Sequence, residues 1–302
     1  MPSSTRASST IADAALGRWR LLRVTGGRLG RRRSLVVGVA LLGIVIALCL
    51  VVPPLSPYSP DAFVAAPYLS PSWSHPFGTD TYGRDLLVRV FVAGRLDLVV
   101  AAVGVAVPLF VGTLIGTLVG GASRRWPDVV VMRIVDAIVA FPFVILVLTL
   151  VVVFGVDRTL GPLPAGLPSL FIAVFLTSWA LYARLARAQT LALKNREFIA
   201  AARLLGFSHA RIVRRHLLPT VFKTTATYAV SDAILLIIVT ASLPFLGAGV
   251  QPPTPEWGAI MYEGRTVIET SWWITVCPGI ALAVTGLGAS LIADALVAGE
   301  ER

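Results

Sequence analysis

Six long stretches of this chain run almost without charge, each close to the ~20 residues that cross the hydrocarbon core of a bilayer. They are residues 35–52, 98–121, 129–154, 168–191, 220–246 and 273–297. None alternates apolar and polar residues as a barrel strand does, so helices are the remaining way to satisfy the backbone in lipid. Pro108, Pro142, Pro244 and Pro278 are tolerated in such bundles, and Gly112 and Gly116 allow helices to approach closely. The composition agrees: 56% hydrophobic and 14% charged, with a mean hydropathy of +0.81. Soluble domains carry about 25% charged residues, so an ordinary soluble enzyme is excluded, and so is a disordered chain. The first apolar run exceeds the ~7–15 residues of a signal-peptide core and ends at Pro53-Pro54 with no A-x-A site after it. It reads as a retained transmembrane helix. The expected fold class is an all-α polytopic membrane protein with six transmembrane helices.

Charge then sets orientation. Placing the N-terminus inside puts 21 of the 26 Lys and Arg in the inner segments and 5 in the outer ones. That asymmetry fits cytoplasmic N and C termini. The net charge of +10 lies between apolar runs rather than on one folded face, which argues against nucleic acid. The expected organisation is a basic cytoplasmic segment at 1–34, a first helix at 35–52 and an external segment at 53–97. A five-helix core at 98–302 follows, with a cytoplasmic loop at 194–219.

Two connections carry information. In the external segment, residues 84–94 place Leu86, Leu87, Val90 and Phe91 at helical spacing, with Arg84, Asp85 and Arg89 opposite. A flat interfacial helix and a packed external loop fit that pattern equally well. In the inner loop, residues 197–206 make a short helix stopped by Gly206, with Phe198, Ala202 and Leu205 on one face. Arg211, Arg214, Arg215 and His216 then lead to Leu218-Pro219. Such a helix suits insertion into a groove on another protein, or contact with anionic lipid.

Recognisable chemistry is sparse. The only lysines, Lys194 and Lys223, do not follow a glycine, so the chain holds no phosphate loop of its own. His75, His209 and His216 are scattered and build no metal site, and no catalytic motif stands out. A proton-coupled carrier is the rival reading. It needs ionisable groups inside the bundle, and only Asp232 lies deep in a span. Asp232 reads either as a packing hydrogen bond to Ser or Thr on a neighbouring helix or as a contact to solute.

The inner-loop run Phe198-Ile199-Ala200-Ala201-Ala202-Arg203-Leu204-Leu205-Gly206, with His216-Leu217-Leu218-Pro219 after it, resembles the EAA loop of bacterial ABC importer permeases. Three further stretches narrow the likeness. They are His75-Pro76-Phe77-Gly78-Thr79-Asp80-x-x-Gly83-Arg84-Asp85, then Met132-Arg133-x-x-Asp136 with Ala140-Phe141-Pro142, and Phe245-Leu246-Gly247-x-Gly249 running on to Trp257-Gly258. Together, over residues 35–297, they resemble the C-type permease of the dipeptide/oligopeptide/nickel importers.

The resemblance implies a type I importer permease fold. It implies that residues 198–216 couple to an ATPase through Phe198, Ala200, Ala201, Ala202, Leu205, Gly206, Arg211, Leu218 and Pro219. Gly78, Asp80, Gly83, Arg84 and Asp85 would belong to an external elbow, and Asp232, Thr240 and Phe245 would lie along the pathway. The implied partners are a second homologous permease, two ATPase subunits carrying ATP and Mg, an extracytoplasmic solute-binding protein and a peptide solute. This chain would bind no cofactor. Nickel is disfavoured because no His or Cys cluster offers ligands, while glutathione is an alternative solute. Ala200 and Thr240 stand where the family usually carries glutamates, and Pro244 where it carries serine.

Overall fold

The computed structural model describes residues 32–122 and 125–300. Most of the basic segment expected at 1–34 lies outside the described residues, as do Arg124 and Arg302. The chain enters as α1 (Arg32–Leu55) and then runs irregularly over 56–85. Four helices follow: α2 (Leu86–Gly121), α3 (Arg125–Val139), α4 (Phe143–Phe154) and α5 (Leu167–Leu193). The second half holds α6 (Glu197–Leu204), α7 (His209–Ile212), α8 (Leu218–Ser242), α9 (Trp257–Gly264) and α10 (Trp273–Glu300). Among the described residues, extended pairing is confined to isolated bridges such as Thr79 with Asp85. Five helices are long and apolar enough to span a membrane, six if α3 and α4 count as one bent span. The all-α polytopic class therefore holds.

Two spans differ from expectation. Residues 129–154 are not one straight helix: α3 and α4 meet at 91° around residues 140–142. Pro142 has no N–H to continue the ladder, and its ring pushes the preceding Phe141 out of helical geometry. Each arm then follows its own packing against α5, α3 through Val135 on Ala180 and Ala183, α4 through Val147 and Val151. The second span begins not at residue 98 but at Leu86, in one helix of 36 residues. At 1.5 Å per residue it is ~54 Å long and outruns the ~30 Å hydrocarbon layer. Of residues 84–94, which suited either a flat interfacial helix or a packed external loop, 86–94 are the buried start of α2, with Leu86, Val88, Arg89, Val90 and Ala93 all enclosed.

The centre of the molecule is the parallel pair α2 and α5. At Gly112 and Gly116 the backbones nearly touch: an added Cβ would sit 2.4 Å from the Trp179 carbonyl oxygen and 2.2 Å from that of Ala183. Only glycine allows that approach. Packing around this pair orders the two ends of the bundle. Lys194 Nζ donates to the Gly120 carbonyl at 3.4 Å at one end, which we call the basic end. At the opposite end, Gln251 N–H donates to Ala165 O at 2.9 Å and the Trp257 indole to Val90 O at 2.8 Å. The helix α1 leans on α10, where Ser34 Oγ donates to Leu291 O at 3.1 Å, and leaves Val36, Val39, Ile44 and Leu50 uncovered, as lipid contact allows.

Candidate functional site

The basic-end loop folds on a small core of its own. Ile199, Ala202, Ile212, Val213 and Leu217 pack together beneath Leu193 and Phe207. Glu197 in the first turn of α6 and Arg203 in the last match the helix dipole. Gly206 ends the helix at φ +79°, with its N–H donating to Arg203 O at 3.0 Å and that of Phe207 to Ala202 O at 3.1 Å. The packed face is therefore Ile199 with Ala202, which corrects the expected face of Phe198, Ala202 and Leu205. An eight-residue helix with apolar residues on nearly every side does not fix its own inward direction. Phe198, Leu205 and Leu204 are turned outward, 46%, 74% and 90% exposed, and Ala200, Ala201 and Gly206 are exposed beside them.

Around this apolar ridge stand exposed arginines 203, 211, 214 and 215, none of them in a salt bridge among the described residues. The Arg211 guanidinium lies over the Phe207 ring, 5.2 Å from its centroid. Between α7 and α8 the helix does not stop. It widens into a π turn over Val213–Leu217, just ahead of Pro219, which cannot donate to the carbonyl of Arg215. Residues His209–Leu246 thus form one continuous rod of 38 residues from loop to span, with Leu218 half-buried at the join.

Along that rod the side left uncovered is partly polar. Lys223 and Ser231 are exposed and Thr224, Thr227, Tyr228 and Asp232 half-buried. The uncovered side of α2 is instead Val99, Val103, Val107, Phe110, Leu114 and Leu118. Asp232 accepts a 2.7 Å hydrogen bond from the Tyr182 hydroxyl of α5 rather than from a Ser or Thr. Thr240 is not brought to this side: it is buried and donates to Ile237 O of its own helix at 3.0 Å. Phe245 is 44% exposed and meets Tyr262 edge-on at 5.6 Å, beyond the end of α8.

At the opposite end, the residues expected on an elbow form a closed ion cluster. Gly78 and Gly83 turn the loop back so that Asp80, Arg84 and Asp85 face inward. Asp85 caps α2, accepting the Val88 N–H at 3.0 Å, and pairs with His75 Nδ1 at 2.8 Å. Asp80 accepts from Arg84 Nε at 2.5 Å and lies 3.2 Å from Arg89 Nε. Arg84 reaches across to Glu263 at 3.2 Å. Burial lifts the Glu263 carboxyl above its ordinary value, although Arg89 and Arg84 pull it back. Glu256 caps α9, accepting the N–H groups of Gly258 and Ala259 at 2.8 Å each. Its burial pushes it up to about 7, although the Gly258 and Ala259 N–H groups and a hydrogen bond with Asp97 pull it back. Asp97 in turn accepts the Trp257 N–H at 3.0 Å.

Sequence reasoning missed Arg89, Asp97, Glu256, Glu263 and Tyr182 as partners. A glutamate directly before Trp257-Gly258 at a helix start was a capping signal; the other pairings leave no local trace. Taken together, the arrangement offers an exposed apolar ridge, a rod with one polar side and a locked opposite end.

Comparison with known proteins adds a family. Residues 112–301 match the family described as binding-protein-dependent transport system inner membrane component. A protein of Brucella suis biovar 1 (strain 1330), provisionally named a peptide transport system permease protein, is 36% identical over 277 residues, covering 90% of this chain and 89% of the relative. The oligopeptide transport system permease protein OppC of Haemophilus influenzae is 33% identical over 274 residues, 89% of this chain and 84% of its own.

Proposed function

The chain belongs to the family of binding-protein-dependent transport system inner membrane components, and on that premise we propose how this ABC importer permease subunit is driven and what it carries. It is a multi-pass inner-membrane subunit. Its cargo is a short peptide; the names of its relatives support this reading. A second homologous permease completes the pathway, with the polar side of α8 facing it. Two ATPase subunits, which hold ATP and Mg, meet the permeases from the cytoplasm, and one seats on residues 198–216. An extracytoplasmic binding protein delivers solute to the segments at 53–97 and 247–272. Both termini are cytoplasmic in this arrangement.

The observation that carries the reading is the outward ridge of Phe198, Ala201, Leu204 and Leu205 at the foot of a continuous rod. Apolar side chains this exposed, ringed by arginines that form no salt bridge among the described residues, call for a protein surface to cover them. Closure of the ATPase pair moves α6 and α7 as one small packed body. Because α7 passes into α8 without a break, that movement tilts α8 rather than being absorbed in a loop.

Co-purification tests it. The tagged chain retains the ATPase subunit, and Leu205→Asp loses it by about thirtyfold, the factor for a buried interface anchor of ~2 kcal/mol. Abundance in the membrane stays normal because Leu205 packs against nothing in its own chain's core. Retention of the ATPase together with normal uptake overturns the docking assignment.

A further inference from the structure

A carboxylate inside a membrane span is expensive unless something compensates it. Among the described residues, the other buried or half-buried carboxylates are Asp80, Asp85, Asp97, Asp128, Glu256 and Glu263. Each holds a basic side chain or a backbone N–H. Asp232 holds neither. Its Oδ2 accepts from the Tyr182 hydroxyl at 2.7 Å, and it forms no salt bridge among the described residues. It lies deep, ~21 Å along α8 from Leu218 and ~15 Å from Ser242 at 1.5 Å per residue. It stands next to exposed Ser231, on the polar side of the rod. One turn earlier, Tyr228 sets its ring edge-on to Tyr182, with centroids 5.5 Å apart.

A half-open acid with a fixed oxygen, bordered by aromatic rings, is the chemistry that recognises an alkylammonium ion. We propose that Asp232, positioned by Tyr182 and flanked by Tyr228, is a subsite in the translocation pathway for a primary ammonium group of the solute. This deepens the peptide-importer reading and rests on its placement of the polar side of α8 toward the pathway. The guest is either the α-ammonium of a peptide or the ammonium of a lysine side chain. Tyr182 is a positioning residue: its hydroxyl occupies Oδ2 and leaves Oδ1 to the guest.

The test uses the assembled importer in lipid vesicles, with Cys49 and Cys277 replaced by alanine and Ser231→Cys as a reporter. Cationic and anionic methanethiosulfonates of similar size label that thiol. The cationic reagent is favoured by about tenfold, as attraction at contact distance requires, and Asp232→Asn brings the two rates to parity. Asp232→Glu keeps the preference, which separates lost charge from lost folding. Slowing of cationic labelling by millimolar tri-alanine assigns the α-ammonium, and slowing by N-acetyl-Ala-Lys-Ala alone assigns the lysine ammonium. N-acetyl-tri-alanine, which has no ammonium, leaves the rate unchanged. An unchanged reagent ratio in Asp232→Asn, no slowing by either amine, or equal slowing by N-acetyl-tri-alanine overturns the subsite. ATP-dependent uptake of tri-alanine reads the cargo separately, because the reagent ratio does not depend on what is transported.

Discussion

The two ends of the bundle treat charge in opposite ways. At the end built from residues 56–85, α9 and the start of α2, Asp80, Asp85, Arg84, Arg89 and Glu263 are drawn inward and bonded to one another or to His75. At the basic end, the arginines of the 194–219 loop reach outward without acidic partners among the described residues, beside apolar side chains that the chain itself leaves uncovered. A buried ion cluster holds one arrangement, since breaking it strands a charge away from water. An open patch holds nothing until a partner arrives. One end is thereby fixed within the chain, while the other leaves its apolar and basic surface open.

That contrast can be broken by substitution. Removing Asp80 has the largest expected effect: Asp80→Ala leaves the Arg84 and Arg89 guanidiniums buried without their shared acid and costs about 3–5 kcal/mol. Thermal unfolding in detergent and membrane abundance both report it. A smaller effect comes from pH. Glu256 titrates near 7 when folded against an ordinary 4.5, so the folded state holds this proton more tightly than the unfolded one. Its stabilisation is complete below about 4.5 and is lost as pH rises through about 7. The melting midpoint falls over that window, and Glu256→Gln flattens the fall; an equally steep fall in the variant contradicts the assignment.

At the basic end the effects on stability shrink while those on transport do not. Gly206→Ala forces a Cβ onto φ +79°, in space that is otherwise open, and costs ~1 kcal/mol. Hydrogen exchange in α6 speeds up, and uptake falls with it. Arg203→Ala and Arg214→Ala sharpen the contrast most. They change the melting midpoint by no more than surface substitutions do, about 0.5 kcal/mol, yet weaken ATPase-stimulated uptake several-fold. Equal losses of stability at both ends would erase the distinction.

Much of the fold was legible because lipid leaves few options. The apolar runs located α1, α5, α8 and α10, and glycine with its following pattern located the end of α6. What stayed hidden is long-range. Arg84 finds Glu263 across 179 residues, and Asp232 finds Tyr182 across 50, distances over which no periodicity speaks. Prolines were ambiguous for the same reason. Pro108 sits inside a helix pressed along α5 and α8 and leaves it continuous, whereas Pro142 separates two arms with different neighbours and bends the chain. The charged stretch at 84–89 announced an amphipathic helix but not that a second charged loop would bury it.

The close contact between α2 and α5 has a mechanical corollary. With Gly112 and Gly116 seated one turn apart on the opposing backbone, a slide of less than ~5.4 Å drives backbone into backbone. The pair is therefore a stiff beam that can turn but not shear. The helix α8 meets it through side chains alone where Leu236 covers Gly104 and Thr225 meets Thr113. If α6 and α7 carry the stroke as proposed, α8 swings against that beam, and those soft contacts are its bearing.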